Sequence, residues 1–97
     1  KLLVVDLDSQ QTTARIDVGD GPDVLAYDTG LHRLYVASES GVVSVLDVQG
    51  KALHELAKGR LADGAHTVTV DQGTHRVYFP LENVNGKPVL RVMEPAK

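Results

Sequence analysis

The sequence predicts an all-β protein built from repeated units of four antiparallel strands. The first observation is an internal repeat, because residues 21–37 (GPDVLAYDTGLHRLYVA) and 64–80 (GAHTVTVDQGTHRVYFP) align without a gap at an offset of 43 residues. The second is a series of short apolar runs separated by Gly, Asp, Asn and Ser, which is typical of strands joined by turns. The third is weak helical periodicity. Self-similarity at this period indicates a repeat architecture.

Composition limits the classes of function. With 97 residues, 42% of them hydrophobic, the chain has room for one small domain with a core. A net charge of −3 without a basic run predicts no binding of nucleic acid. The lack of cysteine excludes disulfides, thiolate zinc sites and a cysteine nucleophile. No stretch approaches the roughly 20 apolar residues of a membrane span, and no signal peptide is recognisable.

Residues 1–20 are predicted to form the end of one unit. The run from Val4 to Leu7 resembles the run from Val45 to Val48 at an offset of 41 residues, so it corresponds to a third strand. Since the chain opens with this strand already under way, we expect it to be a piece of a longer protein.

Residues 21–63 are predicted to form one complete unit, with strands A, B, C and D in chain order. The four apolar runs are 24–27, 34–37, 42–48 and 52–57. The last run also fits one and a half turns of helix, but its place in the repeat favours a strand.

Residues 64–97 are predicted to form a unit that lacks its last strand. Asn85-Gly86 predicts a two-residue hairpin turn, because both residue types tolerate positive φ. Residues 90–94 are a diverged copy of strand C. The stretch from Leu81 to Lys87 is the least repeat-like part, so it is either a loop for partner contact or a solvated hairpin.

A β-propeller blade explains the repeat better than two alternatives. A β-sandwich has short strands but gives no reason for self-similarity at 43 residues. A helical repeat needs two amphipathic helices, which the Gly, Asp and Thr residues would interrupt. A propeller blade is a four-stranded unit of this period. The predicted strand order C-D, A-B-C-D, A-B-C amounts to about two blades in an incomplete ring. We therefore expect association with the rest of a propeller, or of the chain with itself.

The repeat resembles the YVTN family of β-propeller repeats over nearly the whole chain. The matching positions are Asp28, Gly30, Arg33, Tyr35, Gly41 and the Val-Leu-Asp of 45–47. The tetrapeptide that names the family is degenerate here, as Tyr35 to Ser38 and Tyr78 to Leu81. WD40 repeats are a poorer fit, because the chain has no Trp.

This resemblance implies more about fold than about function. Related propellers in bacteria and archaea are often seven-bladed and commonly exported, which implies a periplasmic or extracellular protein. The function it implies is a non-enzymatic scaffold or binding module that presents loops and an axial mouth to a ligand or protein partner. One alternative is part of an enzyme of the lactonase or cofactor-carrying type, and another is a structural repeat of a surface layer. The resemblance singles out no cofactor.

Asp23 and His66 are the predicted ligand-binding residues. They lie 43 residues apart, just before strand A of successive units, and strand A lines the central channel of a propeller. Both can bind metals or exchange protons, so they would form part of a polar ring at the mouth of the channel. Asp20 and Asp63 would add negative charge there. The alternative is that these side chains only satisfy backbone amides at the start of the strand.

His32 and His75 occur at the same position of two units, which favours a structural role because a catalytic site is needed once. Asp28 and Asp71 precede the turn glycines and are expected to accept backbone hydrogen bonds. Arginines follow both histidines and would pair with aspartates of a neighbouring blade. We predict no catalytic residue and no metal ligand set, since phosphate loops, serine elbows and His-Glu-x-x-His are lacking.

Overall fold

A computed structural model describes residues 1–50, 52–62 and 64–95, with the side chain of Asn83 excepted. Within these residues the structure contains strands and no helix, and every strand pair is antiparallel. The all-β prediction is confirmed.

The strands of the described residues fall into three sheets, which follow one another along the chain. Their bounds are β1 Leu2–Asp6, β2 Gln11–Ile16, β3 Pro22–Asp28, β4 Arg33–Ser38, β5 Val42–Gln49, β6 Ala52–Arg60, β7 Thr69–Val70, β8 Val77–Val84 and β9 Lys87–Met93. The first sheet is β1-β2, the second β3-β4-β5-β6 and the third β7-β8-β9. The first sheet therefore falls within residues 1–20, the second within 21–63 and the third within the segment that begins at residue 64.

The middle strands of the second sheet, β4 and β5, are the most buried strands, with buried side chains on both faces. Tyr35 and Val43 project from one face and join a core cluster with Val77 and Phe79 of the third sheet. Since side chains alternate along a strand, Val36 projects from the opposite face, where it is 1% exposed. Burial of both faces suits the long apolar runs of β4 and β5.

Close packing fixes the connection between the first and second sheets at Gly19. A Cβ atom at this position would lie 2.7 Å from the Cβ of Val42 and 3.0 Å from the hydroxyl oxygen of Ser38. Only glycine fits here, so the link leaving β2 packs directly on the second sheet.

Residues 52–60, for which part of the sequence also fitted a helix, form the strand β6. It pairs with β5 from Val42↔Arg60 to Gln49↔Ala52. Val45 faces Ala57 and Leu46 faces Glu55, so Leu56 is an extra residue that forms a bulge. Pairing with β5 prevails over the local helical pattern because it satisfies the backbone along the whole run.

The turn at Asn85-Gly86 forms as predicted, with φ of 54° and 84° at the two positions. Residues 81–87 are not a long loop, because β8 continues to Val84 and β9 begins at Lys87. The hairpin interpretation of this stretch is therefore correct, and contact of this hairpin with a partner stays a prediction. Leu81, 4% exposed, anchors the hairpin in the core.

Apolar side chains remain exposed at the two ends of the three-sheet arrangement. Leu3 and Val5 of β1 are about half exposed, as are Leu90 and Val92 of β9. The described part of the chain contains no helix with the length and apolarity needed to cross a membrane.

Candidate functional site

The structure brings the two predicted ligand-binding residues into contact. Asp23 is the second residue of β3, and His66 lies in the segment that leads into β7. These strands are the first of their sheets and they approach each other. Asp23 Oδ2 lies 3.0 Å from His66 Nδ1. The 43-residue offset therefore corresponds to a direct contact between successive sheets.

A tight turn and a buried neighbour orient His66. Gly64 adopts a φ of 71°, in the left-handed region that favours glycine. The His66 N–H donates to the Gly64 carbonyl oxygen at 2.8 Å. Ala65 is fully buried in the core cluster, so it fixes the backbone while the imidazole of His66 remains one-third exposed.

The contact with Asp23 favours one tautomer of His66. With Nδ1–H donating to the carboxylate, Nε2 is left as an acceptor. The Thr67 hydroxyl also lies 3.3 Å from Nδ1. Glu82 Oε1 lies 3.9 Å from Nε2, which is too long for a hydrogen bond, and the Glu82 side chain is 87% exposed. The result is an oriented imidazole between two carboxylates and open to solvent.

Sequence reasoning missed Glu82, although Glu39 occupies the same position of the preceding unit at the offset of 43 residues, because its approach to His66 depends on the packing of β8. Asp20 is exposed, and Asp63 lies outside the described residues. Across residues 1–50, 52–62 and 64–95, no group of three or more His, Asp or Glu side chains could hold a metal ion. The geometry suits a polar ligand that donates a hydrogen bond to Nε2 or carries positive charge.

A second polar contact joins the two repeated hairpins that follow strands β3 and β7. The carboxylate of Asp28 is fully buried and accepts from the N–H groups of Gly30 at 3.0 Å and Leu31 at 3.2 Å. Its other oxygen lies 2.7 Å from Nδ1 of His75. Burial by itself raises the pKa of Asp28, but the hydrogen bond to His75 and those from the backbone together hold this pKa below its ordinary value.

Gln72 is the other link between these hairpins. Its Oε1 accepts from the Thr29 N–H at 2.9 Å and from the Thr29 hydroxyl at 3.1 Å. Its Nε2 donates to the Tyr27 carbonyl oxygen at 2.7 Å. The two hairpins, similar in sequence, thus form a joint between successive sheets.

The repeated residues have the local roles that the sequence predicts at the turns. Asp71 accepts from the Gly73 N–H at 3.0 Å, as Asp28 does from the equivalent glycine. His32 and His75 both adopt left-handed φ, at 55° and 64°. The arginine prediction is wrong for Arg76, which donates to Glu94 of its own unit at 3.0 Å. These two residues lie just beyond the Val77↔Met93 end of the β8–β9 ladder, which brings the carboxylate within reach.

In comparisons with known proteins, the chain matches no family model, no curated protein and no solved structure.

Proposed function

We propose that the chain is a part of a YVTN-type β-propeller and acts as a non-enzymatic scaffold and binding module. The observation that carries this proposal is the joint between repeat-equivalent hairpins, in which His75 of one unit contacts Asp28 of the unit before it at 2.7 Å. A contact between equivalent elements of successive units can recur along a chain of such units. It therefore suits a ring of blades in which each unit binds the next.

The divergence of the sheets supports the same proposal. The first strands of the second and third sheets, β3 and β7, are close enough for Asp23 to contact His66 at 3.0 Å. Towards the last strands a cleft of about 460 Å³ separates β6 from β9. Blades that converge at their first strands and diverge at their last ones form a fan around a central axis.

The Asp23–His66 pair would then lie at the mouth of the channel, where ligands or partner proteins meet the ring. The exposed apolar faces of β1 and β9 would be covered by further blades. In this arrangement the binding function belongs to the ring, and each unit contributes a small number of polar groups to the mouth.

Tandem repetition of residues 21–63 tests the ring. Chains with increasing numbers of linked copies of this unit are compared by sedimentation velocity. If the unit is a blade, one number of copies between about four and eight closes a ring and gives a compact, monodisperse particle. If the unit instead forms an open stack, the particle becomes more elongated with every added copy and no number is favoured. The second result would refute the propeller.

The mouth is tested separately, through the imidazole of His66. NMR signals of the His66 imidazole are expected to shift when a ligand that binds the complete propeller is added. His66→Ala should abolish binding of that ligand. A matched control is His54→Ala, because His54 is exposed on β6. Unchanged ligand binding by His66→Ala would refute the axial site, and it would not contradict the proposed propeller.

An enzyme is the second candidate, and Asp23 favours it by orienting His66 as a carboxylate orients a general base. No serine or threonine nucleophile among the described residues contacts His66 Nε2, so the substrate or another blade would have to supply the reacting group. Turnover of a lactone by the intact protein, lost in Asp23→Asn, would support this candidate over a binding module.

A further inference from the structure

The cleft between the second and third sheets has an unusual arginine on its wall. The cleft has a volume of about 460 Å³, within the range of small-molecule sites. Its walls are mostly apolar, with Tyr35 and Val43 on one side and Phe79 and Met93 on the other. Arg33, at the start of β4, also lines it.

Arg33 differs from its repeat equivalent in how its guanidinium is satisfied. Arg76 Nε donates to Glu94, which lies just past the end of β9. Arg33 lies opposite Asp47 in the β4–β5 ladder, yet its buried Nε has no hydrogen-bond partner among the residues that the structure describes. The Asp47 carboxylate accepts instead from Gln49 Nε2, at 2.7 Å. The wall of the cleft therefore contains an arginine whose Nε–H lacks an acceptor within the described part of the chain.

Cationic side chains outnumber acidic ones among the described residues that line the cleft. Lys58 and Arg60 of β6 line it together with Arg33. Glu94 is the acidic residue among the described lining residues, and Arg76 holds its carboxylate. An anionic group is thus favoured in this cleft.

The mouth of the cleft is apolar and open. Leu56 is 51% exposed and Met93 41% exposed, although both side chains are large. Leu56 is the bulge residue of β6, and a bulge redirects a side chain from the regular alternation of the strand. Exposed apolar side chains at the rim of an apolar cleft gain free energy when a hydrocarbon chain covers them.

We propose that this cleft binds an amphipathic carboxylate, such as a medium-chain fatty acid. The hydrocarbon chain lies against Val43, Phe79 and Met93, and the carboxylate binds the guanidinium of Arg33. Binding turns the guanidinium towards the cleft, so that Nε–H gains the acceptor it lacks, beside a second N–H of the same planar group. The site is separate from the Asp23–His66 pair and does not depend on the axial mouth.

The test uses the full chain and three probes that share an octyl group: octanoate, 1-octanol and octyltrimethylammonium. Calorimetric titration is expected to show octanoate binding about tenfold more tightly than 1-octanol, since a charge-assisted hydrogen bond is worth about that factor. Octyltrimethylammonium should bind most weakly. NMR of valine methyl groups should place the octanoate shifts at Val43 and Val77. Equal affinities for octanoate and 1-octanol would overturn the proposal.

Variants separate the charge from the apolar wall. Arg33→Met keeps the aliphatic stem, and it should bring the affinity for octanoate to within about twofold of the affinity for 1-octanol. Arg15→Met is the matched control, because Arg15 is exposed on β2 and does not line the cleft. If Arg33→Met fails to fold, Leu56→Asn at an exposed position serves instead. It should weaken the binding of octanoate and of 1-octanol to the same extent.

Two further outcomes would contradict the proposal. An octanoate preference that persists in Arg33→Met would show that another cation carries the affinity. Methyl shifts at Val43 and Val77 that depend on protein concentration and not on octanoate would show that a second copy of the chain covers the cleft.

Discussion

The hairpin at residues 27–33 and the hairpin at residues 70–76 have similar sequences but different surroundings. Asp28 of the first hairpin is fully buried and contacts a histidine from the next sheet. Asp71 of the second hairpin is exposed and accepts from Gly73 and Thr74 of its own turn. The comparison shows that this motif forms its turn by itself, whereas its burial depends on a following unit.

The two histidines show the same difference. His75 reaches back to Asp28 in the preceding unit. His32 occupies the same position in its own unit, with the same left-handed backbone, but its Nδ1 lies 3.2 Å from the hydroxyl of Tyr27. Each histidine thus takes the partner that its surroundings provide, and the backbone of the turn is common to both.

The largest expected effect comes from removing the two aspartates in turn. Asp28→Ala leaves two turn N–H groups and the His75 ring without their acceptor in a buried place, so we expect it to lower the free energy of unfolding by about 3 kcal/mol. Asp71→Ala should cost clearly less, because water can replace an exposed carboxylate. Urea denaturation followed by circular dichroism measures both effects. Equal losses of stability would contradict the inferred difference between the two hairpins.

Replacing each histidine with glycine should separate backbone strain from partner contact. His75→Gly is expected to lower the free energy of unfolding by about 2 kcal/mol, because the buried Asp28 carboxylate loses its histidine partner. His32→Gly should be close to neutral, since relief of the left-handed backbone offsets the greater entropy of the unfolded chain. The midpoints of thermal unfolding should differ in the same order. A loss in His32→Gly as large as that in His75→Gly would indicate a role for His32 that the structure does not show.

The amide of Gln72 should contribute less than the buried pair. Gln72→Ala removes its hydrogen bonds with Thr29 and Tyr27 at an exposed place, so we expect a loss of about 1 kcal/mol. Gln49→Ala is the control, because Gln49 contacts Asp47 of its own strand. Hydrogen exchange at the Thr29 N–H should become faster in Gln72→Ala alone. Unchanged exchange there would show that the amide does not hold the hairpins together.

The pH dependence of stability should be the smallest effect. The pKa of Asp28 lies below its ordinary value of 3.8, so the unfolded chain takes up a proton first as pH falls. The stability from this carboxylate is fully present above about pH 4, and it is lost as pH falls through the lowered value. The N–H of Gly73 and the hydroxyl of Thr74 lower the pKa of Asp71 too, with the same sign.

Urea denaturation between pH 6 and pH 3 measures the slope of the free energy of unfolding against pH. Asp28→Asn should flatten it in part, and the variant with both aspartates replaced should flatten it further. A slope in that double variant as steep as in the wild type would assign the acid sensitivity to other carboxylates.

The strands, their order and the turn at Asn85-Gly86 could be predicted from the sequence, because they depend on local residue types. Apolar runs between turn residues indicate strands, and an Asn-Gly pair tolerates the positive φ that a two-residue turn needs. The stretch from Leu81 to Val84 left two interpretations open. It pairs as a strand because Leu81 reaches the core and Val89 lies opposite it, and no local pattern shows either contact.

The candidate site could be predicted only in part. The offset of 43 residues singled out Asp23 and His66 as equivalent positions, and the structure shows them 3.0 Å apart. The approach of Glu82 to His66 could not be predicted, because it depends on how the third sheet packs. The unsatisfied Nε of Arg33 could not be predicted either, because it depends on Asp47 taking Gln49 as its partner.

The sequence by itself determined the all-β class and the turns, since each follows from residue types within a few positions of one another, and it determined the repeat through self-similarity at 43 residues. Only the tertiary structure decided which copy of a repeated residue is buried and which partner it takes. Burial and pairing depend on which sheet lies alongside. Asp28 and Asp71 therefore form similar turns, yet only Asp28 has the next unit's histidine against it.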